Sequence, residues 1–560
     1  DSGYVNVRYM EAYMWGAADM FPEEAATIRY NYTPGIMATD EAFNGLTGPG
    51  VGNVYFGIDF ATGFTTPDYY GTSSNNMDKW PVYYKIIRKC NNILTHIDEP
   101  KDMTTTDHIT IEGYTRFIRA YAYYNILHDY GPPIILGDEV VNTNETLEYY
   151  DRPRVTYDSA VDYICGEFDA AAKFLPSEVS ILDFGKPTKG AALALIARLR
   201  LIHASPLYNG GSAAHSYFAN WVRSGTGKGA GEHYVSQTYD ERRWAVAAAA
   251  AKRVMELTGS AGPLYRLYTV PADEETPALP TGVTSDPNYY GTFPNGAAGI
   301  DPYHSYKDMF DGEAVASINP EFIWAKNSAY INDYYLQGTI PPSMGGWGRY
   351  CVTQKVIDAY LMDDGRTIQD ASSDGYYSEV GFTKSTKHFS GYTLNSDVYN
   401  MYNNREMRFY ASVGFNQAIW PALSSINNNN HTADYFYQGA DGRGGVTAVS
   451  PNYPITGYVS NKWQNPMDAK NGTGARTLPK AYAIIRYAEI LLSYAEALNN
   501  LTTSYTIDVD GNGKEETFSR NTEEIRSAFN KVRYRAGLPG LSDAQLASRD
   551  EVQKAIERER

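Results

Sequence analysis

The 560-residue chain has few cysteines, no excess of basic residues and no long apolar run. Cys90, Cys165 and Cys351 lie far apart and form no C-x-x-C pair. That spacing argues against a disulfide framework or a cysteine zinc site and leaves buried free thiols as the expectation. No apolar stretch reaches the ~18–20 residues that cross a bilayer. Lys and Arg number 48 against 65 Asp and Glu, for a net charge of −17. Nucleic-acid binding needs clustered cations to neutralise phosphates, so this balance argues against it. An acidic surface suits solubility and neutral ligands.

Signatures of chemistry are missing too. There is no G-x-S-x-G, no H-E-x-x-H and no G-x-x-x-x-G-K-[ST], and the nine His have no ligand spacing. The run GTGKGAG at 225–231 looks like a phosphate loop, but no strand leads into it, and it reads as a flexible loop. A glycosidase pair of carboxylates stays open, because sequence cannot show a separation of ~5–10 Å. The sequence starts at Asp1 with no signal peptide, as expected of a mature or trimmed product.

What the chain has in plenty is tyrosine: 49, beside 20 Phe and 8 Trp. Tyrosine offers a flat apolar face and a hydroxyl tip, which suits half-buried, wet contacts. Sugars present matching C–H faces and hydroxyl rims. Most individual tyrosines are nevertheless expected in the core. With 43% apolar and 20% charged residues, the chain can bury a large core.

Helical periodicity is strongest in RYAEILLSYAEAL. Tyr487, Leu491, Tyr494 and Leu498 fall at 0, +4, +7 and +11, and Ile485, Ala488, Leu492 and Ala495 make a second apolar face. Arg486, Glu489, Ser493 and Glu496 form a thin polar stripe between them. A helix apolar on two sides packs between neighbours, as in a stack of helix pairs. Further helices are expected at about 80–99, through the Phe117, Ala120, Tyr121, Tyr124 and Leu127 face up to Gly131-Pro132-Pro133, and at 156–175, 188–205, 240–257, 353–361, about 479–499, 522–536 and 543–558. From about 260 to 478, and from about 35 to 79, Gly, Pro, Asn, Ser and Tyr dominate instead, the mark of long functional loops. The expected plan is a helical scaffold at about 80–258 and 479–560 carrying two loop-rich elaborations in one domain.

Several blocks, in order, resemble the SusD/RagB (SusD-like) family of nutrient-capturing outer-membrane lipoproteins. They are WPVYYKIIRKCNNIL from Trp80, EGYTRFIRAYAYYNILHDYGPPII from Glu112, TQKVIDAYLMDDGRTI from Thr353, NREMRF from Asn404, RYAEILLSYAEALNN from Arg486 and NKVRYRAGLP from Asn530. NREMRF has Glu-Met where the family has Asp-Pro, and the chain ends within the family's E-R-x-x-E-L helix at Glu557-Arg558-Glu559-Arg560. The resemblance implies a mainly α fold of tetratricopeptide-like helix pairs with few short strands, although no ~34-residue repeat consensus is present. It also implies a surface glycan-binding protein with no enzymatic activity. A lipid anchor at the N-terminus and a TonB-dependent SusC-like transporter as partner follow from the same resemblance. Peptide capture or, from another class, a glycoside hydrolase are the alternatives.

Ligand contacts are expected in the loops, where carboxylates and amides bond sugar hydroxyls and rings stack on C–H faces. The early loop offers Asp40, Asn44, Asp68, Tyr69 and Tyr70, followed by Trp80. Asp40 also fits the family's S-D-E position, while a cap is its plain alternative. The middle offers Tyr289 and Tyr290, Tyr334 and Tyr335, Trp347 between glycines, and Arg366 after an Asp-Gly turn. In DVDGNGKEE, Asp508, Asp510 and Asn512 stand at positions 1, 3 and 5 of a Ca2+ loop, but Ser519 replaces its bidentate Glu. A hairpin turn is the competing reading.

Overall fold

The computed structural model describes residues 4–25, 39–45, 62–63, 65–68, 77–328, 330–445 and 452–560. The chain forms two compact units. One comprises 1–21, 78–265 and 485–525, and the other 22–77, 266–484 and 526–560.

The first unit is a run of long helices. Val7–Ala18, Trp80–His96, Thr105–Tyr130, Tyr157–Ala172, Lys189–Ala204, Arg242–Met255 and Tyr487–Asn499 each pack on the next in that order, a tetratricopeptide-like arrangement. Local chemistry sets their ends. Thr104 and Asp107 form a reciprocal capping box, and the Thr156 and Thr188 hydroxyls accept from the backbone N–H groups of Ser159 and Ala191. Gly131, at φ 81°, ends the Thr105–Tyr130 helix in a conformation that side chains resist. Gly190 is needed for a different reason: a Cβ there would lie 1.8 Å from the Tyr265 hydroxyl oxygen.

Tyr487, Leu491, Tyr494 and Leu498 are buried, as are Ala488, Leu492 and Ala495, so both expected apolar faces of this helix are covered. Its polar stripe is used inside the stack, where Glu489 takes a two-pronged bond from Arg198 at 2.7 and 2.8 Å.

Three expectations need correction. The 479–499 segment is not one helix, because Ala481–Arg486 is a strand and the helix is Tyr487–Asn499. Up to Ile484 that strand belongs to the second unit, where it pairs with Phe322–Asn327. Pairing partners, which lie far off in sequence, decide such β-branched stretches. The 543–558 segment divides into Asp543–Leu546 and Arg549–Glu559, because the Ser548 hydroxyl caps a new start. The Val7–Ala18 helix was readable from Met10, Met14 and Ala17 on one face and was missed.

The second unit holds short strands and turns around an aromatic core that includes Tyr303, Tyr402, Phe409, Tyr410 and Phe415. A four-stranded antiparallel sheet runs in the order Ala42–Asn44, Tyr350–Val352, Val459–Ser460, Val413–Gly414. The blocks from Thr353 and Asn404 meet here. Asp363 N–H donates to the Asn404 carbonyl at 2.9 Å, and Glu406 N–H to the Leu361 carbonyl at 3.0 Å. Glu406, at the place where the family has Asp, accepts from Leu361 N–H at 2.9 Å and pairs with Arg408 at 2.5 Å. All three cysteines are buried free thiols. No described helix is long and apolar enough to cross a membrane.

Candidate functional site

In the first unit the Gly131-Pro132-Pro133 stop sends the chain back along the Trp80–His96 helix. A polar stripe on that helix catches the returning loop. The Tyr84 hydroxyl donates to the Ile134 carbonyl and accepts from Ile134 N–H, both at 2.8 Å. One turn on, Arg88 Nε donates to the Val141 carbonyl at 3.0 Å, and Asn91 Nδ2 to the Glu139 carbonyl at 2.8 Å. Spacings of four and three put these side chains on one helix face.

Behind this stripe stands Arg119, which is buried. It donates to Asn91 Oδ1 at 2.9 Å, Asp138 Oδ1 at 2.6 Å and Glu167 Oε2 at 2.7 Å. Its guanidinium holds the Asp138 carboxyl below the usual carboxylate range. Arg119 thus ties the loop, the 80–96 helix and the Tyr157–Ala172 helix together, in fixed fork geometry.

Between helix and loop lies a cleft of about 410 Å³. Trp80, Pro81, Tyr84, Ile134, Leu136 and Val141 give it an apolar floor, and Lys85, Arg88, Glu139, Asn142, Tyr150 and Arg152 stand around it. The Trp80 ring is held by edge contact with Tyr130 and by the Arg154 guanidinium 5.5 Å from its centre. Tyr130 also fixes the start of the helix, its hydroxyl accepting from Lys79 and Trp80 N–H and donating to Asp78. Arg152 grips Glu139 with two bonds of 2.6 and 2.9 Å, and this pairing holds the Glu139 carboxyl down. A rigid ring, a greasy floor and polar groups at the edge are what an amphipathic ligand needs.

Of the expected ligand residues, Trp80 lines this cleft. Others lie in the second unit. Asn44 is buried in the first strand of its sheet, opposite Tyr350, so the early loop and the Trp347 segment come together there. Asp40 is exposed and ion-paired with Lys355, which holds its carboxyl below the usual range. Asp68 is exposed, with its N–H on Thr66 Oγ1. Tyr69 and Tyr70 lie outside the described residues. Trp347 is half-buried, and its N–H donates to the Gln337 carbonyl at 2.7 Å.

Three of the expected residues are enclosed or already partnered. Tyr289 is fully enclosed and its hydroxyl donates to the Gly537 carbonyl at 2.8 Å, leaving Tyr290, 47% exposed, as the member of that pair at the surface. Tyr335 is enclosed as well. Arg366 is committed to Asp364 at 2.8 Å and Asp374 at 2.7 Å, a surface ion network in place of a ligand arm.

Sequence reasoning passed over Phe436 and Tyr437, which are 50% and 65% exposed on a loop anchored by the Asp441 carboxylate to Ser343. Their adjacency just before the glycines of 439–445 was the available signal. It also passed over Tyr84, Arg88 and Arg152, whose roles depend on the returning loop.

At 505–518 the chain forms a hairpin, with Tyr505–Asp508 paired to Glu515–Phe518. Both Asp508 carboxylate oxygens accept from Gly513 N–H, at 3.0 and 3.1 Å, and Asp510 Oδ1 accepts from Asn512 N–H at 3.0 Å. Ser519, the closing position of the Ca2+ pattern, lies past the paired strands at the end away from the turn. Asp508 and Asp510 thus serve the hairpin turn, and no cluster of three metal-ligating His, Cys, Asp or Glu occurs among the described residues.

Residues 320–560 match the SusD family model, and residues 61–201 match a second model described as starch-binding associating with outer membrane. No curated protein matches the chain in sequence. Among solved structures, a SusD-like protein from Bacteroides fragilis NCTC 9343 is 20% identical with TM-score 0.64, covering 100% of this chain and 84% of its own. A SusD-like carbohydrate binding protein from the same strain is 16% identical with TM-score 0.61, over 100% and 84%. Surface glycan-binding protein A from Bacteroides uniformis is 15% identical with TM-score 0.51, over 98% and 86%. At these identities the likeness is one of fold.

Proposed function

Because the chain belongs to the SusD family, we propose that it is a cell-surface glycan-binding protein that hands an oligo- or polysaccharide to a TonB-dependent, SusC-like outer-membrane transporter. Attachment to the outer membrane through an N-terminal lipid is part of the same reading, on family grounds. The protein carries out no reaction on its ligand.

The observation that carries the glycan reading is the cleft beside Trp80. Its floor can take the C–H face of a pyranose while Asn142, Glu139, Arg152 and the backbone of 139–143 address hydroxyls. An open groove with few anchors gives modest affinity, about −8 to −4 kcal/mol, or μM to mM. Weak holding suits a protein that must release its cargo.

Calorimetric titration against a panel of neutral and acidic oligosaccharides, with peptides of similar length alongside, tests this. Heat with at least one glycan is expected, and Trp80→Ala should weaken it by roughly tenfold. Heat with peptides alone would replace the glycan reading by peptide capture. New reducing ends after prolonged incubation would make the protein a hydrolase.

A further inference from the structure

From the charges around the cleft, and resting on the glycan reading, we propose that this site takes an anionic oligosaccharide, one carrying carboxylate or sulfate groups. The cleft is lined by three cations, Lys85, Arg88 and Arg152, and one carboxylate, Glu139. Arg152 and Glu139 neutralise each other through their double bond. The remaining two cations sit one turn apart on the Trp80–His96 helix and line the same cleft as Trp80. Among the described residues no carboxylate lies within ion-pair distance of either. Arg88 gives its Nε to the Val141 carbonyl and lines the cleft. Glu145, held by Asn142 Nδ2 at 3.1 Å, stands outside the lining.

This arrangement runs against the rest of the chain, whose net charge is −17. An anion nearing such a protein is repelled in general, but charges beyond about 8 Å are largely screened at physiological salt. Two uncompensated cations beside an aromatic floor then dominate what a bound ligand feels. A neutral sugar would leave both charges unmet. A sugar acid stacked on Trp80 would place its anionic group toward Lys85 and the Arg88 fork, where charge-assisted bonds form.

The test is titration of the full chain with a galacturonate hexamer, its methyl ester, and a sulfated chondroitin hexasaccharide, at low and high salt. The ester keeps the backbone and masks the charge. Expected is binding of at least one anionic oligomer about tenfold tighter than the ester, weakening with salt, and losing about tenfold in Lys85→Gln. The separate arms tell carboxylate from sulfate. Lys85 is exposed, so this variant should keep the parent's melting temperature, and Arg88→Lys provides a second variant that retains charge but loses the fork. Equal or better binding of neutral oligomers, untouched by Lys85→Gln, would overturn the inference and leave the glycan reading standing. No binding of any oligosaccharide, charged or neutral, would overturn both.

Discussion

Glu559 accepts from Arg408 Nη1 on one carboxylate oxygen and from Arg533 Nε on the other, each at 2.5 Å. The carboxylate is shielded from solvent, and one charge is shared between two guanidiniums in the second unit. Removing one member of such a buried group strands the others. Glu559→Gln should therefore cost about 3–5 kcal/mol at pH 7, read by chemical denaturation. Burial pushes the Glu559 carboxyl up, but the two guanidiniums outweigh it and hold it below its ordinary value. A depressed carboxyl contributes fully above its unfolded pKa, near 4.5, and loses that contribution as pH falls through the folded value. The gap between wild type and Glu559→Gln should accordingly close on acidification.

Arg119 serves the cleft without touching it. Arg119→Met would leave Glu167 and Asn91 facing an empty place, and a loss of about 3 kcal/mol is expected. Amide exchange should quicken in 134–142 more than in the Lys189–Ala204 helix, and ligand affinity should drop with it. Unchanged exchange in 134–142 would separate the loop from Arg119.

Asp363 behaves in the opposite sense to Glu559. Burial pushes its carboxyl up to about 6, against a hydrogen bond from the Tyr376 hydroxyl at 2.6 Å. A raised carboxyl stabilises the fold below its unfolded value near 3.8, and that contribution is lost as pH rises through about 6. Asp363→Asn removes the charge and keeps an acceptor for Tyr376. It should gain about 1–2 kcal/mol at pH 7.5 and nothing at pH 4, measured by urea melts at both pH values.

Gly190→Ala should destabilise the first unit by about 1–3 kcal/mol, because the new methyl falls on the Tyr265 ring. In a Tyr265→Leu background the same change should cost much less, since a leucine can step aside. Equal cost in both backgrounds would place the strain elsewhere.

The turn at 508–513 satisfies its own carboxylates with backbone N–H groups. Chelation with EDTA should leave the melting temperature unchanged, and added Ca2+ should not raise it. A rise of several degrees with Ca2+ would restore the metal reading.

Much of the helical stack was legible because its information is local. Periodicity exposed the faces around Tyr487 and Leu491, and Gly131 marked an end that depends on its own neighbours in sequence. Trp80 could be singled out in the same way, as an aromatic at the mouth of a helix following a loop. The Ala481–Arg486 stretch misled because its apolar residues fit either period and its strand partner is about 150 residues away.

Composition and spacing alone pointed to the long helices of the first unit, the free thiols and the lack of catalytic motifs, since each of those properties resides in residue types and short spacings. Which tyrosines are sealed, as Tyr289 is, and which stand open, as Tyr290 and Tyr437 do, depends on what packs over them from distant segments. The cleft exists only because the loop after Pro133 returns to the Trp80–His96 helix and is fastened there by Tyr84, Arg88 and Asn91. Hydrogen bonds between residues some 50 positions apart leave no periodic trace in a sequence, so tertiary structure alone could bring those side chains to one place.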